Sequence, residues 1–152
     1  MARSPELLWE SAIVIEAPPA EVADQLLRAS PGKVGPDNAY LLHSDGRDLT
    51  LTGGPDVFLA GAPGIPGGGG MIVEVDRARR TFAVQGGWWY RGEHTVQDDP
   101  RGTRVVYRIY NVGQVGWMVS LRWRSFRRTM AAPADQAARL GERLHAKAYV
   151  AG

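Results

Sequence analysis

From Trp117 to Val150, apolar or small residues return every three or four positions: Val119, Trp123, Phe126, Met130, Ala134, Ala137, Gly141, Leu144 and Ala148. That spacing draws a stripe along one helix face. The opposite face carries Arg122, Arg124, Arg127, Arg128, Asp135, Arg139, Glu142, Arg143 and Lys147. Pro133 lacks an N–H and clashes with the turn before it. The segment is therefore expected to kink near Ala132, or to restart with Pro133 at a first helical position. The stripe is bulky before the proline and small after it. Gly141 costs about 1 kcal/mol relative to Ala in a helix interior, which points either to tight packing on a sheet or to room left for a ligand.

Upstream the pattern shortens to that of strands. Leu7–Ile15 is apolar on both parities, as in a strand with little exposed surface. Pro18-Pro19 ends it and suits the first turn of a helix over Ala20–Ala29, with Val22 and Leu26 inward. Ala39–His43 and Arg47–Thr52 flank Ser44-Asp45-Gly46 and predict a hairpin. Met71–Asp76 and Thr81–Gly86 alternate, Gly86-Gly87 turns into Trp88–Asp98, and Thr103–Val112 is the clearest strand. Gly53–Gly70 is rich in Gly and Pro and predicts a loop, either a plain connector or a flap whose Val57, Phe58, Leu59 and Ile65 cover a cavity. The order is strand, short helix, about six antiparallel strands, long helix.

This order resembles the START/Bet v 1-like superfamily, also called SRPBCC. The residues that carry the likeness are Trp9 to Val22, a strand entering a helix through Ala17-Pro18; Met71 to Asp76 followed by Arg80-Thr81-Phe82; Arg101 to Tyr107; and the segment from Ala134 to Val150. The resemblance spans nearly the whole chain and implies a single α+β domain over residues 1–152. It implies a helix-grip fold, in which a curved antiparallel sheet of about seven strands wraps around a long C-terminal helix. A cavity between sheet and helix would then hold a lipid, a polyketide or another small hydrophobic or aromatic molecule. Some members of the superfamily are polyketide cyclases, and others bind or carry ligands. No catalytic residue of a cyclase aligns onto this chain, and Pro133 and the loose Gly53–Gly70 depart from the commoner pattern.

With 152 residues and 44% hydrophobic content, the chain has material for one core. The absence of cysteine removes disulfides, thiolate metal sites and a Cys nucleophile. No signal peptide and no membrane-spanning stretch are read, so a cytoplasmic location is expected. Residues 1–100 carry 8 Lys and Arg against 14 Asp and Glu, whereas residues 101–152 carry 10 against 2. The basic excess centres on Arg122–Arg128, where Trp123 and Phe126 interleave. That segment is either a solvated helix face or a dock for an acidic partner or an anionic membrane surface. Nucleic acid is not expected as a partner.

His94 shares a strand face with Trp88, Tyr90 and Val96, and Glu93 lies on the other face. Tyr107 shares a face with Val105, Ile109 and Asn111. If those faces point inward, Tyr90, His94 and Tyr107 are polar groups in an apolar pocket, able to orient a ligand or to act in acid–base chemistry; otherwise they are satisfied core or rim residues. The five tryptophans read as ordinary packing. His43, His94 and His145 lack ligand spacing, so no metal and no cofactor are expected. There is no P-loop, no Gly-x-Gly-x-x-Gly between strand and helix, and no nucleophile elbow. The expected ligand site comprises Trp88, Tyr90, His94, Val105, Tyr107, Ile109, Phe126, Met130, Ala137, Gly141 and Leu144. The leading expectation is ligand binding. The alternatives are a cyclase or dehydratase using Tyr90, His94 or Tyr107, and an interaction protein docking through residues 122–128.

Overall fold

The computed structural model describes residues 5–44, 46–61, 70–86, 89–113 and 133–151. Its frame is one antiparallel sheet: β1 (Glu6–Ile15), β2 (Gly32–Lys33), β3 (Thr50–Gly53), β4 (Val57–Gly61), β5 (Met71–Asp76), β6 (Thr81–Gly86), β7 (Tyr90–Asp99), β8 (Gly102–Asn111) and β9 (Ala148–Val150). The spatial order is β2-β3-β4-β5-β6-β7-β8-β1-β9. Three helices are described: α1 (Pro19–Leu27), α2 (Tyr40–Ser44) and α3 (Pro133–Leu144).

Strand alternation decides which face is covered. Val73 and Val75 point inward from β5 while Ile72 and Glu74 do not; Phe58 and Ala60 alternate in the same way on β4. These inward residues join Ile13, Ile15, Phe82 and Val105 of the sheet, Val22 and Leu26 of α1, Leu41 and Leu42 of α2, and Ala137 and Leu140 of α3 in one core. Val22 and Leu26 stand one turn apart and are both fully buried, which is the driving force that holds the nine-residue α1. The other face of the sheet carries charge. There Arg91 meets Glu74 and Glu93, each at 2.8 Å.

The helix-grip expectation is overturned at the C-terminus. The described part of α3 runs from Pro133 for twelve residues and ends at Leu144, and among the described residues the sheet has nine strands rather than about seven. Among the described residues no long C-terminal helix is wrapped by the sheet. Instead the chain reverses. The Ala146 N–H donates to the Gly141 carbonyl at 2.9 Å, and the His145 N–H donates to the Glu142 carbonyl at 3.3 Å. His145 adopts φ 52°. This is a Schellman motif with histidine in the place usually held by glycine. Ala148–Val150 then pairs with Ile13–Ile15 as β9 and covers the edge of β1 that β8 leaves open. Gly141 permits the return, because a Cβ there would stand 2.8 Å from the Ala146 carbonyl oxygen and 3.1 Å from Ala148 Cβ.

Two further expectations are corrected. Ala39–His43 is not a strand: Tyr40, Leu41 and Leu42 are consecutively buried, which one helical turn wedged between layers can do and a one-sided strand cannot. The supposed loop Gly53–Gly70 contains β4, whose Phe58 is 1% exposed. The flap reading is thereby removed for Val57, Phe58 and Leu59. Ile65 lies outside the described residues.

Candidate functional site

A cavity of about 360 Å³ lies between the inner face of the sheet and α2. Met71 of β5, Phe82, Val84 and Gly86 of β6, Tyr90, Gly92 and His94 of β7, and Tyr107 of β8 form its wall, with Trp89 beside them. Leu41 and Leu42 of α2 cover it, and Arg47, on the segment that follows, borders it. Among the described residues the cover is therefore α2, and no residue of α3 lines the cavity. The volume falls at the small end of the roughly 300–1,000 Å³ typical of ligand pockets.

Register brings the polar wall together. β7 and β8 pair so that His94 faces Tyr107, Gly92 faces Ile109 and Tyr90 faces Asn111. The His94 and Tyr107 rings stack at 4.1 Å with 14° between their planes. The Tyr90 and Tyr107 hydroxyls are hydrogen-bonded at 2.5 Å. Tyr107 also meets Trp9 edge to face, with ring centroids 5.8 Å apart, and Trp89 meets Tyr90 in the same way at 5.6 Å.

α3 contributes one contact from the far side. The side-chain nitrogen of Gln136 lies 2.9 Å from His94 Nε2. An amide nitrogen only donates, so Nε2 accepts and the ring proton sits on Nδ1. Burial pushes the His94 pKa down from 6.5 to about 3. The residue is partly buried and lines the cavity. His94 is thus a neutral ring with its acceptor already engaged, and it is a weak base.

Of the residues expected at a ligand site, the structure brings Tyr90, His94 and Tyr107 to the cavity. Val105 and Ile109 flank Tyr107 along β8 but are buried in the core at 1% and 0% exposure. Ala137 is buried in the core, Leu144 packs against it, and Gly141 is occupied by the returning chain. None of these five lines the cavity. Trp88, Phe126 and Met130 lie outside the described residues, as does the arginine segment 122–128. Sequence reasoning missed Leu41, Leu42, Arg47, Gln136 and Gly92. Phe82 and Val84 had been placed on one strand face, and that face is the cavity wall.

Among the described residues, no three His, Asp or Glu side chains come together to hold a metal ion. No described helix is long and apolar enough to cross a membrane. Comparison with family models, with curated proteins and with solved structures finds no match to this chain.

Proposed function

We propose that this chain binds a small hydrophobic or aromatic molecule in the cavity beneath α2. The observation that carries the reading is the partly open hollow of about 360 Å³, whose described lining combines apolar side chains with the neutral polar groups of Tyr90, His94 and Tyr107 and has Arg47 at its border. Phe82, Val84, Leu41, Leu42 and Met71 offer dispersion contacts, and Trp89, Tyr90 and Tyr107 offer ring faces and edges. The weak basicity of His94 supports holding a ligand over transferring protons, since a general base works best with a pKa near the working pH.

The test combines native mass spectrometry of the purified protein with fluorescence titration of N-phenylnaphthylamine, an uncharged aromatic probe. Saturable one-to-one binding is expected, and Val84→Trp, which fills the cavity, should abolish it without loss of fold by circular dichroism. A wild-type protein that neither retains a small molecule nor binds the probe overturns the reading, as does a folded Val84→Trp variant that binds unchanged.

A further inference from the structure

We infer that the preferred ligand carries an anionic group at one end, and that Arg47 receives it at the mouth of the cavity while the apolar body lies inward. The inference rests on the ligand-binding reading above and adds charge and orientation to it.

Arg47 lies on the boundary between inside and outside. It borders the cavity beneath α2, and it also borders a second, open cleft on the outer side with Lys33, His43 and Asp48. Its backbone N–H donates to the Leu42 carbonyl at 3.3 Å, which ties the residue to α2, the cover of the cavity. The residue is exposed and makes no ion pair among the described residues. The neighbouring carboxylate, Asp48, is directed instead at Lys33, 3.9 Å away. No Asp or Glu is among the described residues that line the cavity, so Arg47 supplies its only formal charge there.

The inner wall is unsuited to an anion. His94 is neutral, and the remaining described groups are the Tyr90 and Tyr107 hydroxyls, the Trp89 indole and apolar side chains, none of them charged. A buried charge without a partner is strongly disfavoured, so an acidic group would be rejected at the inner end and retained at the rim. There a guanidinium offers paired N–H donors matched to a carboxylate or sulfonate. An amphipathic monoanion satisfies both ends at once; a neutral ligand of the same body satisfies only one.

Two probes with one ring system separate the possibilities: anilinonaphthalene sulfonate and uncharged N-phenylnaphthylamine, titrated into wild type, Arg47→Gln and Lys33→Gln. Arg47 is exposed, so its substitution leaves the core intact. Wild type is expected to bind the sulfonate more tightly. Arg47→Gln should weaken the sulfonate about two- to fivefold, as for an exposed charge pair, and leave the neutral probe unchanged; Lys33→Gln should change neither. If both probes bind and Arg47→Gln moves both equally, moves neither, or is matched by Lys33→Gln, the anionic assignment is wrong and the cavity reading stands. If neither probe binds wild type, the cavity reading itself has failed.

Discussion

The Tyr90 hydroxyl occupies the space where a side chain at Gly92 would begin. Both residues are on β7, two positions apart and on the same face. A Cβ built at Gly92 would fall on the Tyr90 hydroxyl and come within 3.1 Å of Tyr107 Cε2. The missing side chain thus lets the Tyr90 ring fold along its own strand and reach the Tyr107 hydroxyl. Gly92→Ala is expected to displace Tyr90 and to cost about 1–3 kcal/mol, as overpacking does. Tyr90→Ala should remove the clash. In a double-mutant cycle by urea unfolding, the pair should couple by about 1 kcal/mol or more; additive effects would show that the two do not compete for this space.

His94 predicts an acid sensitivity with a definite sign. In the unfolded chain its pKa returns to about 6.5, while burial holds it at about 3 in the native state. Below pH 6.5 the unfolded state takes up a proton that the native state refuses until about pH 3. Stability is therefore lost as pH falls through that window, at up to about 1.4 kcal/mol per pH unit, and is unaffected by this residue above it. His94→Gln should remove about 2 kcal/mol of the difference in unfolding free energy between pH 7.5 and pH 5. An unchanged difference in the variant would mean that His94 is not held neutral.

The reversal after α3 predicts two opposite effects. His145 adopts φ 52°, which L-residues tolerate at a cost. His145→Gly should stabilise the protein by about 0.5–1 kcal/mol, after the greater freedom of Gly in the unfolded chain is subtracted. Gly141→Ala should destabilise it, because the clash with the Ala146 carbonyl outweighs the roughly 1 kcal/mol that Ala gains in a helix. Amide hydrogen exchange over Ala148–Val150 should quicken in that variant; protection as in wild type would contradict the packing described.

Thr103 opens β8 and ties it to the strand–helix junction. Its hydroxyl donates to the Ala17 carbonyl at 2.7 Å, and the residue is 0% exposed. Thr103→Val keeps the shape and leaves that buried carbonyl without the hydroxyl. A loss of about 1–3 kcal/mol is expected in thermal or urea unfolding. A neutral substitution would show that the Ala17 carbonyl is satisfied elsewhere.

The middle of the sheet was legible because burial there imposes a two-residue period. Met71–Asp76 and Thr81–Gly86 are strands over their expected bounds, and the parity rule put Tyr90 with His94 and Tyr107 with Ile109 before any pairing was known. Alternation is weaker evidence in short apolar runs, which explains Tyr40–Ser44: five residues do not distinguish one helical turn from a strand. At β4 the alternation of Val57, Phe58, Leu59 and Ala60 was present, but flanking Gly and Pro outweighed it.

The C-terminal misreading has a different cause. Small residues continue the helical period to Ala148 whether or not the helix continues, and the stop lies at His145, which carries no glycine signal. Local sequence therefore determined the faces of the long strands and the identity of the polar groups on the inner wall. Only the tertiary structure decided that β7 and β8 align His94 on Tyr107, that among the described residues α2 and not α3 covers the hollow, and that Ala148–Val150 pairs with the edge of β1. Those are choices of register and of edge. They are set by which distant segments bury each other's surface and pair each other's backbone, and a one-dimensional period carries no record of them.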